Sequence, residues 1–301
     1  MLECVVNVSE GRDRGVITRL VRAGGAAVLD VHQDADHHRS VFTLAGAPDE
    51  LEAAVRSLAR ATVTLLDLRG HVGVHPRIGV LDVVPFVAFT RAPGPAAGRL
   101  SGLAPGSLDR AVTARDRFAA WAGRELGLPC FLYGPHRSLP DLRRRAWVDL
   151  APDQGPSTPH RTAGATAVGA RPALVAYNLW LSEGTPLETA RAAARGIRGP
   201  GIRALGLAVA GGRRVQVSCN LIDPWRVGPG AAFDAVSAAI RDLPSGSAEV
   251  RPAVTRAELV GLLPQVVLHA EPAHRWRELG ISPAATIEAR LEAAGLDGGR
   301  F

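Results

Sequence analysis

Hydrophobic and polar positions change period in a regular order along the first third of the chain. Strands are predicted where apolar residues run or alternate, at Leu2–Val8, Ala26–Val31, Ser40–Ala45 and Val80–Pro85. Between them, apolar residues at every third or fourth position predict two helices, which carry Val16, Ile17, Leu20 and Val21 in the first and Leu51, Val55, Leu58, Thr62 and Leu65 in the second. This βαββαβ order is the ferredoxin-like plan, an antiparallel sheet with both helices on one face.

A helix from Leu108 to Trp121 and a strand at Leu128–Tyr133 are predicted to extend the first half. The second half begins at Ala173 and repeats the pattern. Its predicted elements are a strand at Ala173–Leu181, a helix at Pro186–Ile197, strands at Ile202–Val209 and Arg213–Leu221 joined by Ala210-Gly211-Gly212, a helix at Gly228–Arg241, a pairing segment at Ala248–Val254 and mostly helical structure from Glu258. Gly134–Pro172 shows no clear period and is predicted to be a long functional loop. We therefore predict an α+β fold of two ferredoxin-like βαββαβ halves, with domains at 1–172 and 173–301.

Composition restricts the class of function. Apolar residues make up 47% of the 301 residues, no uncharged apolar run reaches eighteen, and no signal-peptide pattern opens the chain, so we predict a cytoplasmic protein with no membrane partner. The net charge of +6 is dispersed, which argues against nucleic acid and suits a small anionic substrate. Three widely spaced cysteines predict neither a disulfide framework nor a zinc cluster.

The segment from His71 to Asp82 is the strongest active-site candidate. It gathers two histidines, an arginine and an aspartate around a Gly-Pro turn before a strand. Histidine can give or take a proton near neutral pH, so we predict His75 as a catalytic acid/base, with Asp82 or His71 as its orienting partner. The alternatives are that His75 only fills the turn before Pro76 and that His71 only bonds a carbonyl at a helix end.

Other polar residues are candidates for binding an anionic substrate. Arg39 and Arg77 each adjoin a histidine in a polar loop that leads into a strand, and guanidinium groups pair well with carboxylates. Both could also be solvated surface groups. Asn7 could bond the substrate or cap the turn before Ser9. The run Arg143-Arg144-Arg145 is predicted to be a solvated face.

One loop is rich in possible metal ligands. Its members are His32, His37, His38, Asp30, Asp34 and Asp36. Imidazole and carboxylate groups both bind transition metals. The loop lacks a closed four-ligand spacing, however, and polar turns often collect such residues. We therefore predict no metal site.

Several segments, in the right order and almost end to end, resemble one family. They are Leu2–Arg12, His71–Asp82, Gly164–Arg171, Ala176–Asn178, Val215–Asp223 and Leu259–Pro264. These segments resemble glutamate formimidoyltransferase, the transferase part of formimidoyltransferase-cyclodeaminase. The resemblance implies transfer of a formimidoyl group from N-formimidoyl-L-glutamate to N5 of tetrahydrofolate, the cosubstrate, in histidine breakdown. It also implies a homodimer. Because it covers only the transferase part, we expect no cyclodeaminase activity from this chain.

The resemblance also assigns residues. The catalytic histidine of the family falls on His75, before Pro76-Arg77. Its folate-contacting loop maps approximately onto Gly155, Pro156 and Ser157 through Gly164. Small residues between Gly164 and Gly169 would let the backbone approach a flat pterin closely. The arginines at 143–145 would, as the alternative to a solvated face, attract a polyglutamylated folate.

Two positions depart from the family pattern. Glu is usual before the His-Pro pair and Asn before the arginine of the second-strand loop, whereas this chain has Val74 and His38. Loss of a carboxylate beside the catalytic histidine would remove a substrate contact or a partner that raises its pKa. A second hypothesis is therefore a folate-dependent transferase with another donor, such as N-formylglutamate. A third is a folate-binding protein without turnover, against which the presence of His75 argues.

Overall fold

The computed structural model describes residues 1–91, 103–209, 212–243 and 251–296. Within these ranges the chain forms two compact units. The first is Met1–Pro172, together with the described residues from Leu291, and the second is Ala173–Arg290. In the part of the chain described, no helix is both long and apolar enough to cross a bilayer.

The first unit contains seven strands and four α-helices among its described residues. In chain order they are β1 (Leu2–Val8), α1 (Arg14–Gly24), β2 (Val28–Asp34), β3 (Arg39–Gly46), α2 (Pro48–Leu65), β4 (Leu81–Arg91), β5 (Leu103–Pro105), α3 (Leu108–Glu125), β6 (Cys130–Tyr133), α4 (Leu139–Arg145) and β7 (Thr166–Ala170). Capping residues mark where the helices begin. The Asp13 side chain accepts a hydrogen bond from the backbone N of Val16 at the start of α1, and Pro48 opens α2.

The sheet of the first unit is mixed. Its strand order is β2-β3-β1-β4-β7-β6, with β5 paired to β4. Strand β1 lies antiparallel to β3 and β4, as β2 does to β3, whereas β7 lies parallel to both β4 and β6. The α+β prediction is confirmed, but the wholly antiparallel sheet is wrong for this unit, because helical crossovers let later strands pair in parallel.

The region Gly134–Pro172 is not a structureless loop. It contains α4 and the inner strand β7, whose five residues are all buried. The β7 sequence, Thr-Ala-Val-Gly-Ala, is short and made of small residues, so its hydrophobic pattern is too weak to predict a strand. Helix α4 has a stronger signal, since Ser138 accepts from the backbone N of Asp141 in the manner of an N-cap.

Helices cover both faces of this sheet. Val84 and Phe86 of β4 pack in the larger core, together with residues of α1, α2 and α3. Their neighbour Val83 belongs to a smaller cluster with Phe131 and with Leu142 of α4. Because alternate residues of a strand point to opposite faces, α4 lies on the face opposite α1, α2 and α3. The prediction of helices on one face is therefore wrong here.

The second unit has an antiparallel sheet. Its elements are β8 (Val175–Leu181), α5 (Leu187–Gly196), β9 (Ile202–Val209), β10 (Arg214–Leu221), α6 (Pro229–Asp242), β11 (Val254–Val260), α7 (Gln265–His269) and α8 (Ile287–Ala293), of which α8 runs into residues assigned to the first unit. The strand order is β11-β8-β10-β9, with every pair antiparallel.

Two predictions for the second unit need comment. The antiparallel pairing of β9 and β10 agrees with the predicted hairpin, although Ala210 and Gly211 lie outside the described residues. Of the pairing segment predicted at Ala248–Val254, the residues before Arg251 also lie outside them. Strand β11 runs from Val254 to Val260, so Glu258 lies in a strand and helical structure starts only after Val260.

Candidate active site

A β-bulge positions Asp82. Asn7 of β1 pairs with Val83 and the next residue, Val8, pairs with Leu81, so Asp82 is an extra residue in β4. Bulges of this kind re-aim a side chain. Asp82 is the last residue of the His71–Asp82 segment, called the histidine segment below. Its carboxylate is fully buried, and Oδ1 accepts a 2.8 Å hydrogen bond from the backbone N of Ile78 in the same segment.

Two arginines share the other oxygen of Asp82. Arg39 Nη1 and Arg143 Nη2 each donate to Asp82 Oδ2 at 2.6 Å. Burial alone would raise the pKa of Asp82, but the two guanidinium charges and the hydrogen bonds hold it below its usual value. Two cations face one anion, so this cluster keeps one excess positive charge, which an anionic ligand can neutralise.

Each arginine is held differently. Arg39 is buried, and its Nε donates to Asn7 Oδ1 at 3.1 Å. Asn7 in turn donates from Nδ2 to the carbonyl of Val5. Arg143 comes from α4, and its Nε is buried without a hydrogen-bond partner among the described residues. The prediction of a solvated face is thus wrong for Arg143, while Arg144 and Arg145 are exposed.

His75 has a defined tautomer. Its Nδ1 lies 2.8 Å from the carbonyl oxygen of Pro76. A carbonyl can only accept, so Nδ1 carries the hydrogen and neutral His75 presents an unprotonated Nε2. Burial, followed by the charges of Arg39 and Arg143, lowers the pKa of His75 to about 3. In the free protein this imidazole is therefore neutral at pH 7 and can act as a base.

Arg77 fastens the histidine segment to the β2–β3 loop. Its guanidinium donates to the carbonyl oxygens of His37, His38 and His75 at 2.8 to 3.2 Å, and its Nη1 also reaches the His71 ring. A Cβ on Gly73 would collide with the carbonyl of His37 and with this guanidinium. These contacts engage all five N–H groups of Arg77, which favours a positioning role over direct substrate binding.

His38 has a left-handed backbone and a fully engaged ring. Its φ of +48° is a conformation in which Asn and His are both enriched, so the departure from the expected Asn is tolerated by the backbone. Its Nε2 lies 3.2 Å from Glu10 Oε1, and its ring stacks on His71 with centroids 4.0 Å apart. Burial, then the charges of Arg77 and His38, lowers the pKa of His71 to about 4.

A second histidine lies against His75. The His37 ring meets the His75 ring edge to face, with centroids 6.0 Å apart, and its Nδ1 lies 2.8 Å from Asp34 Oδ2. Although burial opposes it, hydrogen bonding from the His37 ring and backbone lowers the pKa of Asp34 to about 2. The described residues contain no group of three or more histidine, cysteine or acidic side chains suited to a metal ion.

The two ends of the loop predicted to bind folate, Gly155 to Gly164, lie in different surroundings. Gly164 has a φ of +72° and bridges to Gly79, and its Cβ would collide with the carbonyl of Ile78, so it lies against the histidine segment. Gly155 packs instead against the backbone of Gly123 and Leu128, and Pro156 and Ser157 are exposed. Their roles as ligand contacts stay predictions.

Comparisons with known proteins identify the family of the chain. Residues 1–171 match the formiminotransferase domain, N-terminal subdomain. The chain is 33% identical to the glutamate formimidoyltransferase of Streptococcus pyogenes serotype M1, over 74% of this chain and 78% of that relative. It is 28% identical to the glutamate formimidoyltransferase of Thermoplasma acidophilum, over 98% of each chain. It is also 32% identical to the formimidoyltransferase-cyclodeaminase of Sus scrofa, over 88% of this chain, but spans only 50% of that relative. By its domain match and these identities, the chain belongs to the formiminotransferase family.

Proposed function

We propose that this protein transfers a formimidoyl group from N-formimidoyl-L-glutamate to N5 of tetrahydrofolate, giving 5-formimidoyltetrahydrofolate and L-glutamate. The observation that carries the proposal is the neutral His75, with Nε2 unprotonated, in the electrostatic field of the Arg39–Asp82–Arg143 cluster. The names of the relatives in S. pyogenes and T. acidophilum support the reaction class.

The excess positive charge suits the donor. N-formimidoyl-L-glutamate carries two carboxylates, and Arg39 and Arg143 are the guanidinium groups that we assign to one of them. Asn7 acts through Arg39, which it orients. Asp82 fixes both guanidinium groups, so we assign it to positioning and not to proton transfer.

His75 would move a single proton between two nitrogens. N5 of tetrahydrofolate attacks the formimidoyl carbon, a C–N bond forms, and His75 Nε2 takes the proton that N5 loses. The tetrahedral intermediate then breaks its bond to the glutamate nitrogen, which receives the same proton from Nε2. Acid/base catalysis of this kind contributes about 10²- to 10⁴-fold in rate.

The low pKa of His75 belongs to the free protein. A histidine at about 3 is a weak base, and the charges of Arg39 and Arg143 are part of the cause. A donor carboxylate bound to these arginines would offset their charge and raise the pKa of His75 toward the working pH. Donor binding would thereby make His75 a stronger base.

The remaining assignments are also proposals. Tetrahydrofolate would contact the loop from Gly155 to Gly164, a homodimer would form, and the protein would act in the cytoplasm. The strand order β4-β1-β3-β2 in the first unit recurs as β11-β8-β10-β9 in the second. This correspondence supports two ferredoxin-like halves.

The test is a steady-state assay of glutamate release with tetrahydrofolate, comparing the formimidoyl and formyl donors. His75→Ala should lower kcat at least about 100-fold, whereas the exposed His274→Ala, as matched control, should leave it unchanged. Wild-type activity in the His75 variant would exclude the assigned role.

The hypothesis of an alternative donor rests on Val74. This residue is 50% exposed and offers no carboxylate beside His75. Turnover with N-formylglutamate alone would identify the second candidate function. Folate binding without turnover of either donor would identify a binding protein.

A further inference from the structure

Trp147 follows α4 in a conformation that tryptophan rarely adopts. Its φ is +68°, at the first position after the helix cap Ala146. Glycine is the usual residue at this position, because a side chain is strained in the left-handed region. A bulky residue there is an outlier, and such outliers concentrate at functional sites.

The indole is also partly open to solvent. The Trp147 and Phe131 rings meet edge to face, with centroids 5.0 Å apart and an interplanar angle of 89°. Trp147 is nevertheless 38% exposed, and the adjacent Val148 is 81% exposed. A strained tryptophan that served only as filler would be expected to bury its ring more completely.

Two independent connections tie Trp147 to the active site. Phe131, Ala167 and Val83 are register partners on three adjacent strands, and Val83 follows Asp82 directly. Since neighbouring strands lie about 4.8 Å apart, Phe131 is roughly 10 Å from the Asp82 strand. Helix α4 makes the second connection, because Arg143, which contacts Asp82, precedes Trp147 by one helical turn.

We propose that the exposed indole of Trp147 is a stacking subsite for the p-aminobenzoyl ring of the folate cosubstrate. The inference rests on the proposed function, which requires folate N5 at His75. The p-aminobenzoyl ring lies one linking carbon and one nitrogen beyond the pterin. An indole that lies against Phe131, two strands away from β4, and one turn beyond Arg143 therefore suits this ring better than the pterin itself. Flat rings stack on tryptophan with little need for hydrogen bonds.

The experiment measures tetrahydrofolate affinity by calorimetry and the two KM values by steady-state assay. Trp147→Leu and Trp147→Gly should each weaken tetrahydrofolate binding about tenfold or more, the scale for loss of one stacked ring. Trp147→Phe keeps an aromatic face and should stay within about threefold. The glycine variant relieves the positive φ, so its loss of binding could not be blamed on backbone strain. The donor KM should not change, whereas a general collapse of α4 would move Arg143 and raise it.

Two results would overturn the inference, and they differ. If the wild-type protein binds tetrahydrofolate and the leucine and glycine variants bind it equally well, the stacking role is wrong while the proposed function stands. If the wild-type protein does not bind tetrahydrofolate, the proposed function fails and the inference fails with it.

Discussion

Asp82→Asn removes the anion that the buried Arg39 and the half-buried Arg143 share, while preserving the shape of the side chain. The amide oxygen can still accept from the backbone N of Ile78. The amide N–H groups, however, would face the donors of Arg39 and Arg143, whose Nη atoms lie 2.6 Å from Asp82 Oδ2. We therefore expect a folded but destabilised protein.

The loss in the free energy of unfolding can be worked out from the charges. At an effective dielectric constant of about 20, each guanidinium–carboxylate attraction at about 4 Å between charge centres is worth roughly 4 kcal/mol. The two attractions together are worth roughly 8 kcal/mol. The neutral amide, however, avoids the desolvation cost of a buried charge, which offsets several kcal/mol of that loss. The net loss in the free energy of unfolding should be about 3 to 5 kcal/mol, the range for breaking a buried pair.

The assay is urea unfolding at pH 7, with Asp149→Asn as matched control. Asp149 pairs with Arg145 in the same unit, but its side chain is 60% exposed, so its removal should cost under about 1 kcal/mol. Adding Arg143→Met should cost less in the Asp82→Asn background than in the wild type, with a coupling above about 1 kcal/mol. Equal effects of the two Asp→Asn changes would refute the argument.

The contribution of Asp82 to stability should also depend on pH. The folded pKa of Asp82 lies below its unfolded value, so its contribution to stability is complete above about pH 4 and is lost as pH falls through the folded pKa. The wild-type protein should therefore lose this part of its stability on acidification. The Asp82→Asn variant should lack it.

Two further predictions concern the histidine segment. Arg143→Met removes a cation that depresses His75, so NMR titration should find the pKa of His75 above about 3, moving toward 6.5; an unchanged or lower pKa would contradict the electrostatic account. Gly79→Ala would drive a Cβ into the carbonyl oxygens of Ala163 and Ala165, and should cost roughly 3 kcal/mol or more in thermal or urea unfolding. Gly70→Ala, where the Cβ would meet nothing within 4 Å, is its control and should be close to neutral.

Local sequence patterns determined most of the elements. The periods that predict β1 to β4 and helices α1 and α2 are read over a few residues, and the structure confirms each of these elements. The histidine segment could be singled out in the same way, because its unusual density of His, Arg and Asp is visible in twelve consecutive residues. Arg39 was recognisable from its position beside histidines in a polar loop.

Tertiary structure alone decided how these residues act together. The bulge that turns Asp82 toward Arg39 depends on the register between β1 and β4, which no single segment specifies. Arg143 reaches the same carboxylate from a region without a clear period, and Arg77 closes on three backbone carbonyls instead of facing an open site. Hydrophobic periodicity is a property of neighbours in sequence, whereas charge compensation and pKa depend on groups that only folding brings within a few ångströms.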